Sequence, residues 1–254
     1  MCRIILLWGD FKDDFPTIFR SLSDVATEDP LHPKNGDKGF SHKDGWGFLN
    51  LNKEKIVLNK YSSPLTRSTE PPSIFNGVLM VHVRAAAPNE GVGVLNNHPF
   101  HVSDDKYDAY IVHNGWFDKY KINESIGYEH PELVNDTEVF INFVMSFKGD
   151  MQKRLSEALE NAKQKKYLKG GANIFVLAID RETLNVTIFY HADVASEKEF
   201  QEYNKLYAIR GKKWDGIVSS SLIYSSFFPK NLAPIEIERG KLYTKQLEFQ
   251  IEDF

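Results

Sequence analysis

The chain contains a single cysteine, and it is the second residue, set directly before the apolar run Arg3-Ile4-Ile5-Leu6-Leu7-Trp8. A short continuous apolar run reads as a buried strand, so the one thiol stands at the start of a strand. A lone cysteine forms no internal disulfide and brings no Cys pair to a zinc site. Removal of Met1 would make Cys2 the mature amino terminus. The thiol is then either a buried free sulfhydryl or a nucleophile that carries its own amine.

Length leaves room for one large domain or two small ones. Among the 254 residues there is no internal repeat, low-complexity tract or evident linker, so a single domain over 2–254 is expected. The formal net charge of −4 draws the molecule neither to nucleic acid nor to an anionic membrane. No apolar run is long enough to span a bilayer. The first apolar stretch is too short for a secretory signal, and a cytoplasmic location is expected.

Asp10 to Asp24 has helical spacing, with Phe15, Ile18, Phe19 and Leu22 on one face. Residues 29–45, rich in Pro, Gly, Asp, Lys and His, read as a loop. Residues 46–61 read as a hairpin, 78–86 as a strand, 87–97 as a flexible loop, and 108–113 as a strand ending at His113-Asn114-Gly115. Helices are expected from near Asn135 and over Asp150 to Leu168. Strand-like stretches follow at 173–180, 184–191, 204–210, 216–223 and 233–250. Strands at both ends with helices between them predict a layered α+β fold with extensive antiparallel sheet.

An amino-terminal cysteine places an α-amine, titrating near ~7.7–8.0, beside a thiol that titrates near ~8.5. The amine can serve as general base, and no separate histidine is then required. A distant Cys–His pair stays open, with His42, His82, His98 and His113 nearest the motifs. Asn114-Gly115 is either a hairpin turn or a two-donor hole for an oxyanion. Arg84, within an apolar strand pattern, needs a partner. That partner is an internal carboxylate or a substrate carboxylate, which suits the planar fork. Asn135 and Glu138 have the spacing of a capping box, which leaves Asp136 in the first turn to hold a substrate ammonium. Asp44-Gly45-Trp46-Gly47 and Asn96-Asn97-His98-Pro99-Phe100 read as turns needing small or rigid residues.

The order of these motifs along the chain resembles the class II glutamine amidotransferases, over about residues 2–145. The Met-Cys-Arg opening and the length are most similar to the small stand-alone branch, which includes amidohydrolases acting on γ-glutamyl compounds. The resemblance implies the four-layer αββα sandwich of N-terminal-nucleophile hydrolases. It implies cleavage of the glutamine side-chain amide to glutamate and ammonia through a Cys2 thioester, or alternatively hydrolysis of a γ-glutamyl peptide or conjugate. A non-catalytic subunit of a larger amidotransferase complex, or an acylase of apolar amides, would keep the fold without that substrate. Cys2, Asn114 and Gly115 would be catalytic. Arg84 would bind the α-carboxylate and Asp136 the α-ammonium, with His98 also at the substrate. The loop 87–97, with Gly91 and Gly93, would be a lid. Larger members carry Thr-His where this chain has Ala87-Pro88, which removes a hydroxyl near the carboxylate. No synthase domain follows, so ammonia-accepting chemistry would lie on a separate subunit. The implied partner is a small-molecule substrate, and neither cofactor nor metal is expected.

Overall fold

The computed structural model describes residues 2–32, 40–87, 90–193 and 200–251. In chain order these form β1 (Arg3–Gly9), α1 (Phe15–Thr27), β2 (Trp46–Leu51), β3 (Ile56–Tyr61), β4 (Gly77–Val83), β5 (Phe100–Ser103) and β6 (Tyr107–Phe117). Then come α2 (Lys119–Ile126), α3 (Asp136–Ser146), α4 (Met151–Gln164), β7 (Leu168–Asp180) and β8 (Asn185–His191). The last are β9 (Leu206–Arg210), β10 (Trp214–Ser219), β11 (Ile235–Glu236) and β12 (Leu242–Gln250). The strands make two antiparallel sheets. One is ordered β11-β9-β10-β1-β4-β2-β3 and the other β12-β8-β7-β6-β5.

The apolar runs are continuous because their strands are buried on both faces. Along β1, Ile4 and Leu6 enter a core that also takes Val78 and Met80 of β4, Tyr110 and Val112 of β6, and Phe175 and Leu177 of β7. That core joins the two sheets. Ile5 and Leu7 point the other way, into a core with Phe15, Ile18, Phe19 and Leu22 of α1. On the second sheet Ala109, Ile111, Ile174 and Val176 face Phe140, Val144, Leu155 and Ala158 of α3 and α4.

The differences from expectation have local causes. α1 begins at Phe15 rather than Asp10, because Pro16 occupies its first turn and the Asp14 carboxylate accepts from Trp214 Nε1 (2.6 Å). β4 ends at Val83, so Arg84 lies just past the strand, with its N–H on Gly45 O and its carbonyl on Asp44 N–H. β6 runs through Asn114 and Gly115, which pair with Asn173 and Ala172 of β7, so the dipeptide is not a turn. The expected 216–223 strand divides into β10 and a 3₁₀ turn over Ser220–Tyr224. The expected terminal strand divides between the sheets as β11 and β12. β5 and α2 were not expected. Residues 33–39 of the 29–45 loop and 88–89 of the 87–97 loop lie outside the described residues.

Candidate active site

Cys2 immediately precedes β1, which lies between β4 and β10 in the first sheet. Asn114 comes from the second sheet. The Cys2 backbone N–H donates to Asn114 Oδ1 at 2.8 Å, tying the two sheets together at this point. A nitrogen donor at Cys2 orients the amide, and Nδ2 is left at the other end. Asn114 is 1% exposed and its Nδ2 has no hydrogen-bond partner. A buried donor left unpaired costs about 1–3 kcal/mol, and such a group marks a place where a ligand acceptor fits.

The cysteine is held from behind. Arg3, fully buried, donates from Nη1 to Cys2 O (3.0 Å) and from Nε to Asp29 Oδ2 (2.6 Å), with its guanidinium 3.5 Å over the Tyr203 ring. Asp29 also meets His42 Nε2 (2.9 Å) and Ser221 Oγ (2.6 Å). Burial works to raise the Asp29 carboxyl pKa, but Arg3 and His42 outweigh it and hold the group well below the usual range. Burial lowers His42 to about 4, so it is neutral at pH 7.

A cavity of ≈ 110 Å³ opens against Cys2 and is also lined by Arg84, Glu90, His98, His113, Gly115, Trp116, Asp136 and Thr137. The structure therefore gathers all the expected site residues, with Asn114 beside them through its bond to Cys2. A larger hollow of ≈ 530 Å³ lies at the opposite end of β1, against Trp8, Trp214 and Phe249, far from the thiol. Gly115 is required by close approach, since a Cβ there would lie 1.6 Å from Gly171 O.

Arg84 is 1% exposed and already has partners. Nη1 donates to Gly91 O (2.7 Å) and Nη2 to Glu90 Oε2 (3.2 Å), both on the loop before β5. Glu90 Oε2 also accepts from Ala87 N–H (3.2 Å). Asp136 is the first residue of α3. Asn135 caps that helix by accepting from Thr137 N–H (2.9 Å). The reciprocal half of the capping box is not made, because Glu138 accepts from the Tyr128 hydroxyl (2.8 Å). Asp136 Oδ2 accepts from Phe117 N–H (2.7 Å). Burial pushes its carboxyl up to about 6, against those N–H bonds and the Lys119 charge.

His98 and His113 converge on one hydroxyl, with His98 Nε2 and His113 Nδ1 each 3.0 Å from Thr137 Oγ1. Thr137 Oγ1 in turn lies 3.4 Å from Asp136 Oδ1. His82 stacks on His98 (centroids 3.9 Å) and bonds His113 O (3.2 Å). Burial lowers the pKa of all three. The thiol itself meets Ala85 O at 3.9 Å, and none of these ring nitrogens is bonded to it. Glu90, Thr137 and Asp29 were not anticipated from sequence.

No protein-family model matches the chain, and no curated protein matches it in sequence. Among solved structures it is similar to the allosteric regulatory enzyme of purine biosynthesis, with a TM-score of 0.64 at 14% identity. The chain shares the fold of the matched half of that enzyme. The alignment covers 98% of this chain and 50% of the other, so the chain spans about half the length of the enzyme it matches. A predicted glutamine amidotransferase from Pseudomonas aeruginosa PA01 aligns over 98% of this chain and 96% of its own, at 14% identity and a TM-score of 0.46.

Proposed function

We propose that the chain is an N-terminal-nucleophile amidohydrolase of the glutamine amidotransferase type, folded as a four-layer αββα sandwich. It cleaves the side-chain amide of glutamine, or of a γ-glutamyl compound, through a thioester on Cys2. The observation that carries this reading is the buried Asn114 amide, whose oxygen receives the Cys2 nitrogen while its Nδ2 has no hydrogen-bond partner. The order of motifs along the chain and the fold shared with an enzyme support it.

Loss of Met1 converts the Cys2 N–H into an amine. Burial pushes the thiol pKa up, so the sulfur does not ionise unaided and its proton passes to the amine as it attacks. The S–C bond forms, and the carbonyl π pair moves onto oxygen. Asn114 Nδ2 and the Gly115 N–H donate to that oxyanion, each such donor contributing ~10²–10³ in rate. Collapse breaks the C–N bond, and the leaving nitrogen takes the proton from the ammonium. Water, deprotonated by the amine, then opens the thioester, releasing glutamate and returning a proton to sulfur. The ammonia passes to a separate acceptor subunit or to solvent.

The glutamyl head carries one carboxylate and one ammonium. The carboxylate replaces Glu90 on Arg84. The ammonium sits against Asp136, whose buried carboxylate gains a cation and ionises fully. His98 orients Thr137, and through it Asp136.

The test is direct. Intact mass should show the chain beginning at Cys2, and the protein should release glutamate from glutamine or from γ-glutamyl amides. Cys2→Ala should abolish turnover with the fold retained, and Cys2→Ser should be nearly as severe. Full activity in protein that keeps Met1, or in Cys2→Ala, would rule out the mechanism.

A further inference from the structure

Large apolar side chains stand exposed on the segments that supply this cavity's lining. Trp116, which lines it, is 57% exposed, and Tyr120 close by is also 57% exposed. On the loop that follows Glu90, Val92 is 65% and Leu95 86% exposed. Leu133, just before Asn135, is 71% exposed. Single exposed apolar residues need no explanation, but an exposed tryptophan that lines the cavity holding the thiol, with further exposed apolar residues nearby in the chain, marks a candidate binding surface.

The place of Trp116 in the cavity decides which part of a substrate meets it. Along β6, Ala109, Ile111 and Phe117 face the helices, while Tyr110 and Val112 face the other sheet. Alternation carries Asn114 onto the inter-sheet side; the β6–β7 register then shifts between Gly115 and Phe117, and Trp116 is placed by the cavity it lines together with Cys2, Arg84 and Asp136. Trp116 follows Asn114 by two residues, ~7 Å along the strand, and passes from a 1% to a 57% exposed position. The glutamyl head is held on the inner side by Arg84 and Asp136. With the glutamyl head on Arg84 and Asp136 and the amide carbon on Cys2, the substituent on the amide nitrogen is the part of the substrate left to meet Trp116.

We infer that Trp116 is a platform for the leaving group, and that the substrates this site takes are γ-glutamyl amides whose nitrogen bears an apolar or aromatic group. Ammonia, the leaving group of glutamine, gives an exposed tryptophan nothing to pack on, whereas an arylalkyl group gains stacking and burial. The inference rests on the assignment of Cys2 as nucleophile and of Arg84 and Asp136 to the glutamyl head.

The experiment compares γ-glutamyl-phenethylamide with γ-glutamyl-ethylamide, whose amines are similar in basicity, on wild type, Trp116→Ala and Trp116→Phe. An aromatic contact corresponds to about 2–13-fold in binding. Wild type should favour the phenethylamide in kcat/KM by about 3–10-fold or more. Trp116→Ala should erase most of that ratio, and Trp116→Phe should restore much of it. Cys2 labelling by an electrophilic glutamine analogue, run in parallel, reports on the head site alone. Labelled Cys2 with no preference for the phenethylamide overturns the platform and leaves the proposed function standing. Neither labelling nor turnover overturns both. A Trp116→Ala variant with an unchanged ratio but a smaller assembly in light scattering overturns the platform in favour of a subunit contact.

Discussion

Replacing Arg84 by methionine removes a guanidinium that is 1% exposed and donates to Gly91 O (2.7 Å) and the Glu90 carboxylate (3.2 Å). In the proposed reaction the same fork grips the substrate α-carboxylate once Glu90 withdraws. A hydrogen bond to a charged group contributes ~1.5–3 kcal/mol. At ~1.4 kcal/mol per factor of ten, kcat/KM should fall by ~10–200-fold. Glu90→Gln approaches the same arginine from the other side. It keeps the side-chain shape and removes the charge that competes for Arg84. Charged pairs are roughly twice as strong as neutral ones, but the Glu90 side chain is 29% exposed, so solvent screens part of the difference. A fall in KM of about 3-fold is expected, with Tm slightly lowered. Glutamate release under steady-state conditions gives kcat and KM, and calorimetry gives Tm. An Arg84→Met variant that loses only Tm, with kcat/KM of the folded protein intact, would remove Arg84 from the site. A Glu90→Gln variant with raised KM would show that Glu90 assists binding.

The remaining predictions concern the groups around that arginine. Burial raises Asp136 from 3.8 to about 6. The folded chain therefore keeps this proton where the unfolded chain has lost it, and stability falls as pH rises from ~4 to ~6, on the order of 3 kcal/mol in all. Asp136→Asn should raise Tm at pH 7 but not at pH 4 and lower kcat/KM by ~10–200-fold. The acid limb of wild-type kcat/KM, set first by the amine base near ~8, should steepen below about pH 6, and a limb of single slope through that value would exclude Asp136 from binding. Asp29→Ala strands the buried Arg3 and should cost about 3–5 kcal/mol in urea denaturation. It should also lower kcat, because Arg3 would no longer hold Cys2 O at 3.0 Å. Gly115→Ala drives a Cβ to 1.6 Å from Gly171 O and 2.4 Å from His113 Nε2. A loss of about 3 kcal/mol or more is expected, and an unchanged Tm would mean that β6 shifts freely there.

What could be read ahead of the structure depended on whether a residue's surroundings are local. β1 was legible because both of its faces are buried, leaving an unbroken apolar run, and α1 because its buried face repeats at Phe15, Ile18, Phe19 and Leu22. α2 was not, since Ile122 is its one buried residue and no stripe forms. β5 has four residues, two of them exposed. Asn114-Gly115 has the local chemistry of a hairpin turn, and only its pairing with Asn173 and Ala172 makes it strand. The site divides along similar lines. The roles proposed for Cys2, Asn114 and Arg84, as nucleophile, oxyanion donor and carboxylate fork, each demand particular residue types, so these three stand out wherever they fall. Asp29, Glu90 and Thr137 act by holding another side chain, a task open to several polar residues. Their types therefore carry little signal. Asp29 reaches back 26 positions to Arg3, and Thr137 forward from His98 by 39. Glu90 lies only six positions beyond Arg84, yet it sits in a loop without a repeating pattern to aim it. Residues of this supporting kind become visible only once two sheets have been laid face to face.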